Sequence, residues 1–223
     1  MDNVIGFIDC KHIPIIGQPE SDPEYHPRHY KNRKKFYSLN VELICDAELC
    51  FLSINAKFPG GCHDSGIWQC SKVRNFLERE WKPENPRYLL GDAGYPIEPW
   101  MLVLYANPIE RHEVLFNRIQ VETRQNVERA FGVLKSTFRC LNGARKLNYH
   151  PKKAGFITIA CCTLYNYMKF EGIPFPETQN QDQGNILEAD YHVMQRHNVL
   201  EFGRGSKGFI CQKFAVKSLF YGS

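Results

Sequence analysis

The sequence predicts an α/β fold in which a mixed β-sheet is flanked by helices. Three observations carry this expectation. Three apolar, β-branched or alternating runs come early, at Val4 to Ile8, Phe36 to Cys45 and Phe51 to Phe58, and read as strands. A further short apolar run, Tyr88 to Leu90, follows a helical segment, so strands and helices are interleaved. From Glu110 onward the periodicity is helical.

Each element has its own signal. The loop Gly17 to Lys35 holds three prolines and the basic run "RHYKNRKK", whereas "CDAEL" between the second and third strands is a tight hairpin turn. The sheet therefore begins as antiparallel neighbours. The stretch "IWQCSKVRNFLEREW", Ile67 to Trp81, spaces its apolar residues as a helix, capped by Asp64 or Ser65 and closed by Pro83 and Pro86. Trp100 to Tyr105 is a candidate short strand. A helical pattern runs from about Glu110 to Phe138, in one piece or two, and a last helix spans Pro151 to Lys169 with proline suited to its first turn. This order suits an RNase H-like fold.

A chain of 223 residues with 43% hydrophobic content can bury a sizeable core. We expect one domain over residues 1–171, followed by a linker and weakly patterned tail over 172–223, where "PFPETQNQDQGN" is polar. The longest apolar stretch, Phe156 to Met168, falls short of the roughly 20 residues that cross a bilayer, so no membrane partner is expected. The start "MDNVIGFID" has no secretory or import character, which points to the cytosol or nucleus. Nine cysteines, an odd set without a CxxC pair, argue against a disulfide framework or zinc ribbon. His26 and His29 have ligand-like spacing but no matching pair. Net charge is a mild +4, with the basic residues gathered at 28–35, 124–139 and 145–153.

The acids carry more. Asp9 ends the first apolar run and Asp92 follows the run Tyr88 to Leu90. Either alone is a common strand terminator. If the two strands are parallel neighbours, both carboxylates emerge at one carboxyl edge of the sheet, where α/β folds place ligand sites. Two like charges so close call for a cation, and hard oxygen donors select magnesium or manganese.

Glu128 sits in "RQNVERAFGVLKSTFRC", one acid among basic residues. On a helix, Val127, Phe131, Leu134 and Phe138 fall within roughly 60° of arc and form a buried stripe, and Glu128 lies roughly 85° from its centre. Arg124, Lys135 and Arg139 lie within roughly 40° of Glu128 on that flank. Taken alone this describes a solvated helix face with weak charge pairs. Asp64, in "GGCHDSGIW", taken alone is a helix cap. His12 and His63 are lone histidines near acids, better suited to a structural hydrogen bond or a phosphate contact than to general base catalysis.

Five blocks, "GFIDCKHIPI", "NRKKFYSLNVELICD", "FPGGCHDSGIW", "YLLGDAGYPIEPWML" and "RQNVERAFGVLKSTFRCL", the last followed by "ACCTLYN", resemble the PIF/Harbinger DDE transposases in order and spacing. They equally resemble the family's domesticated relatives, the Harbinger transposase-derived nucleases. The resemblance covers about residues 1–170. It implies an RNase H-like DDE superfamily endonuclease whose acidic triad holds two divalent ions, magnesium or manganese. The family's acids match Asp9, Asp92 and Glu128, with 35 residues between the last two as the family expects. Relatives also carry an acid at Asp64, implied as a further metal ligand. The family's GDSGYP is GDAGYP here, a departure at Ala93.

By this resemblance the reaction is two-metal, in-line displacement at phosphorus, with ions roughly 3.5 to 4 Å apart. Asp9 would bridge both ions, with Asp92 and Glu128 holding one each. Arg124, Arg129, Lys135 and Arg139, with Arg33, Lys34 and Lys35, would neutralise DNA backbone. Family proteins carry a helical DNA-binding region before the catalytic domain. Met1 lies eight residues before Asp9, so the expectation is a domain without this region, either lost from the protein or cut off by a truncated reading frame. A Myb-like (SANT) partner would then read sequence, and the place of work would be the nucleus. Two other readings stay open: a domesticated, catalytically silent module that binds DNA or protein, and a nuclease acting on RNA or hybrids.

Overall fold

The computed structural model describes residues 3–143 and 146–176, apart from the side chains of Thr123, Arg124 and Asn126. Most of the expected tail, from residue 177 on, lies outside the described residues.

Five strands form one mixed sheet. β1 (Val4–Pro14), β2 (Ser38–Cys45) and β3 (Phe51–Pro59) make an antiparallel meander. β4 (Tyr88–Leu90) lies parallel to β1 on its other side, and β5 (Met101–Leu102) lies parallel to β4. The spatial order is β3-β2-β1-β4-β5. The helices are α1 (Pro27–Tyr30), α2 (Asp64–Gln69), α3 (Lys72–Glu80), α4 (Arg111–Thr137) and α5 (Pro151–Phe170), with a 3-10 turn at Arg139–Leu141. This is the expected α/β arrangement of the RNase H-like kind.

Strand alternation divides the apolar residues between two layers. Phe7, Leu39, Val41 and Leu43 face α4 and α5, where Phe116, Val127, Phe131, Leu134 and Tyr165 meet them. Ile8, Ile44 and Leu89 face the other way, against Trp68 of α2 and Leu77 of α3, with Trp100 and Met101. Polar ties fix the helices to the sheet. Asn166 of α5 accepts the backbone N–H of Phe51 at 2.9 Å and donates to its carbonyl at 2.8 Å, standing in for a neighbouring strand. Glu98 accepts both indole N–H groups, of Trp68 at 2.8 Å and Trp100 at 2.9 Å, and pairs with Arg74 at 2.8 Å.

Four expectations need correcting. β1 does not stop at Asp9 but runs to Pro14, because β2 pairs with it residue by residue from Phe7 opposite Cys45 to Pro14 opposite Ser38. The helix expected over Ile67 to Trp81 is two helices. Ser71 leaves helical geometry, caps α3 by accepting the N–H of Val73, and donates its hydroxyl to the buried Glu42 at 2.8 Å. That contact needs an extended residue there. The cap of α2 is His63, with Asp64 in its first turn.

α4 is one continuous helix of 27 residues opened by a capping box between Glu110 and Glu113. It ends at Thr137, with Phe138 at φ −108° and ψ 83°, so Arg139 begins a separate turn and does not share Glu128's flank through helical periodicity. Beyond α5, Phe175 packs back on Tyr165 with ring centroids 4.8 Å apart.

Candidate active site

β1 and β4 are the parallel neighbours that the two aspartates require. Phe7 pairs with Leu90, and both chains advance two residues to reach Asp9 and Asp92. Beyond that point β4 gives way to a turn, which leaves one side of β1 open at Asp9. Asp9 is 4% exposed. Its Oδ1 accepts the N–H of Cys10 at 2.8 Å, and its Oδ2 is paired at 2.8 Å with the ammonium of Lys11. Lys11 also reaches Oε1 of Glu128, at 3.7 Å.

The last contact brings in α4. Val127, Ala130, Phe131 and Leu134 are buried against the sheet, which leaves the half-buried Glu128 on the margin of that face, as the helical wheel predicts. Two turns earlier, Gln120 donates to the carbonyls of Gly91 at 2.6 Å and Leu102 at 3.2 Å. It thereby ties α4 to the residue before Asp92. The turn itself is closed by Asp92, whose Oδ1 accepts the N–H of Gly94 at 2.9 Å.

Asp64 approaches β1 from the opposite layer. Its Oδ1 accepts from Asn40, which pairs with His12 across the strands. Burial, and then the charge of Asp64, push the Cys10 thiol far up. Burial pushes Tyr95 well up as well, with Cys10 and Asp9 adding to it. Asp9, Glu128 and Lys11 thus meet on the α4 side, while Asp64, Asn40, Cys10 and His12 gather on the α2 side.

The expected cations are placed unevenly, and only some lie near Lys11. Burial, then the charges of Lys11 and Lys34, hold Lys135 below its usual range. Lys135 also stacks over Phe131 at 4.4 Å. Arg33 contacts His63 at 2.5 Å. Burial holds His12 down, and Lys34 and Arg33 add to that against the opposing pull of Asp64. Lys35 sits in the same turn, at φ 64°. Arg129 is exposed and its charge acts on Tyr165 of α5. Arg139 is exposed beyond the helix end. The side chain of Arg124 lies outside the described residues.

The donors suit hard divalent ions, being carboxylates, and a cation already bridges two of them. Among the described residues, one set of three donors has all its ligand atoms within 4.8 Å of one another: Glu110, His112 and Glu113, at the start of α4. Its Glu113 accepts the N–H groups of Ile109 and Glu110, so this set is explained as a helix cap. The triad acids are spread more widely, with Lys11 between two of them. Lys11, Gln120 and Glu42 were not singled out from the sequence. Lys11 was detectable, since residues two apart on a strand share a face, but only once the strand is carried past Ile8.

The family described as DDE superfamily endonuclease matches residues 8–166, from β1 into α5. The chain belongs to this family. The family implies use of a divalent metal. The Bos taurus protein named "Putative nuclease HARBI1" is 32% identical over 164 residues, which is 73% of this chain and 45% of that protein. Its namesake in Rattus norvegicus is 31% identical over 204 residues, 85% of this chain and 56% of that protein. "Protein ALP1-like" of Arabidopsis thaliana is 27% identical over 211 residues, 88% and 49% respectively. These matches bear out the Harbinger resemblance of the five blocks. The chain spans about half the length of the curated relatives it matches. No solved structure matches it. Among the described residues, no helix is long and apolar enough to cross a membrane.

Proposed function

We propose that this DDE endonuclease domain cuts DNA phosphodiester bonds with divalent metal ions, magnesium or manganese, as a nuclease of the Harbinger transposase type. One observation carries the reading: a nearly buried carboxylate, Asp9, is joined to Glu128 through a single ammonium, Lys11, on the strand whose parallel neighbour, β4, leads into Asp92. Carboxylates gathered there are stable only with positive charge among them.

Asp9, Asp92 and Glu128 would hold the ions, while Asp64 stands on the α2 face of the sheet, where its Oδ1 accepts from Asn40. Bound ions of this kind polarise phosphoryl oxygen and supply a nucleophilic water at neutral pH. The chain's own groups do the rest. Lys11 compensates the charge of the nearly buried Asp9 at this strand edge. Gln120 holds the Gly91–Asp92 turn in place. Lys34, Lys135 and Arg33, with Lys35, Arg124, Arg129 and Arg139 farther out, neutralise backbone phosphates and give an affinity that falls with salt. A Myb-like (SANT) partner would supply sequence reading, and the nucleus is the place of work.

The test joins calorimetric titration of Mg2+ or Mn2+ with nicking of supercoiled DNA. Wild type should bind metal and nick, and Asp92→Ala and Glu128→Ala should lose both. A wild-type chain that binds DNA yet neither binds metal nor nicks would leave the catalytically silent binding module instead. Preferential cutting of RNA or hybrid duplexes would move the substrate class.

A further inference from the structure

α5 is buried on one side by the sheet, through Ala154, Thr158, Cys161, Cys162 and Tyr165. Its other side is almost wholly apolar and open to solvent. Phe156 is 62% exposed, Tyr167 56% and Phe170 85%, and no charged residue lies between Lys153 and Lys169. A soluble helix normally turns charge outward, so this face calls for a partner.

The spacing on that face says which. Phe156 and Phe170 lie seven residues before and after Thr163, and Ile159 and Tyr167 lie four before and after it. A helix face that is symmetric about one residue is complementary to itself when a second copy is laid antiparallel across it. That is the isologous contact of a two-fold dimer, in which residue i meets j and j meets i. Thr163 would lie on the axis, with Ala160 beside it, two small residues that let the helices approach closely. The pattern runs about 21 Å along the helix, at 1.5 Å per residue.

Two further features agree. A groove of about 390 Å3 opens beside Phe156 at the start of α5, walled by Ile54, Lys57, Lys152, Gly155 and Ile159. The antiparallel pairing brings Phe170 of the second copy, the most exposed of the aromatics, to that groove as knob to hole. Glu171, next to Phe170, would then lie within about one turn of Lys152 in the other copy, and the opposed helix dipoles favour this orientation. We infer that the exposed face of α5 is the interface of a homodimer, with α5 crossing its counterpart antiparallel at Thr163.

The test uses the full 223-residue chain and needs no nuclease activity. Sedimentation velocity at tens of micromolar should show a dimer, and Tyr167→Asp should convert it to a monomer with unchanged circular dichroism. In a Cys70→Ser, Cys140→Ser, Cys211→Ser background, Thr163→Cys should cross-link to itself under a short bismaleimide. Phe156→Cys should do so only when mixed with Phe170→Cys. A monomer at that concentration overturns the inference: Thr163→Cys shielded from maleimide means the chain's own residues cover the face, and a reactive one leaves it to a different partner. A dimer indifferent to Tyr167→Asp overturns it equally.

Discussion

Lys11 holds its ammonium 2.8 Å from Oδ2 of Asp9, two residues earlier on the same face of β1. Asp9 is nearly buried, so removing that neighbour costs more than breaking a surface pair would. The residue at the centre of the proposed metal site therefore carries its own counter-ion.

Lys11→Met should expose this dependence. In chelator the variant should lose up to about 3 kcal/mol, the upper part of the range for breaking a buried pair being discounted because Lys11 is partly exposed. Saturating Mg2+ or Mn2+ should restore most of that loss, since an ion replaces the missing charge. Denaturant titrations of both proteins with and without metal decide it. An equal loss in both conditions would sink the account.

Gln120 offers a second handle. Gln120→Leu leaves the carbonyls of Gly91 and Leu102 without their side-chain donor inside the protein, which costs about 1–3 kcal/mol. Because Gly91 precedes Asp92, metal affinity should weaken as well, although Gln120 touches no ion. Calorimetry on the folded variant reads this. Unchanged metal affinity beside lowered stability would make Gln120 purely structural.

Glu42 is the buried acid of β2. Burial raises its pKa above the usual carboxyl value, opposed by hydrogen bonds from Ser71 and Asn55 and by Lys57. The folded chain therefore holds this proton more tightly than the unfolded chain. Its contribution to stability is fully present below the unfolded value and is lost as pH rises through the folded one. Glu42→Gln removes the titration, so the variant should gain on wild type as pH rises from about 4 toward 7. Parallel stability curves over that span would refute the assignment.

Two helix glycines should respond with opposite signs. At Gly132 of α4 an added Cβ meets nothing within 4 Å, so Gly132→Ala should stabilise by up to about 1 kcal/mol through helix propensity. At Gly155 of α5 the same Cβ would lie 2.5 Å from the carbonyl oxygen of Ala56 on β3, a backbone atom that cannot swing away. Overpacking of about 1–3 kcal/mol there outweighs the propensity gain, so Gly155→Ala should destabilise. Thermal midpoints of the two variants check the contrast.

Strand runs, the long helix and Glu128's marginal position were legible in the sequence, because alternation and helical periodicity are local and the apolar stripe Val127, Phe131 and Leu134 fixes how α4 faces the sheet. The family membership was legible too, in the five blocks. What ends a strand or a helix was not. β1 continues past Asp9 because β2 hydrogen-bonds to it from residues 24 or more positions later, and Ser71 breaks its helix because Glu42, in another strand, takes its hydroxyl. Only the folded chain could set the parallel register that pairs Phe7 with Leu90, each two residues before its aspartate. Only it could bring Lys11 between Asp9 and Glu128, place Asp64 on the opposite layer, or leave the symmetric face of α5 open. Each of these depends on pairings between distant segments, whereas the sequence by itself specifies the faces that pair.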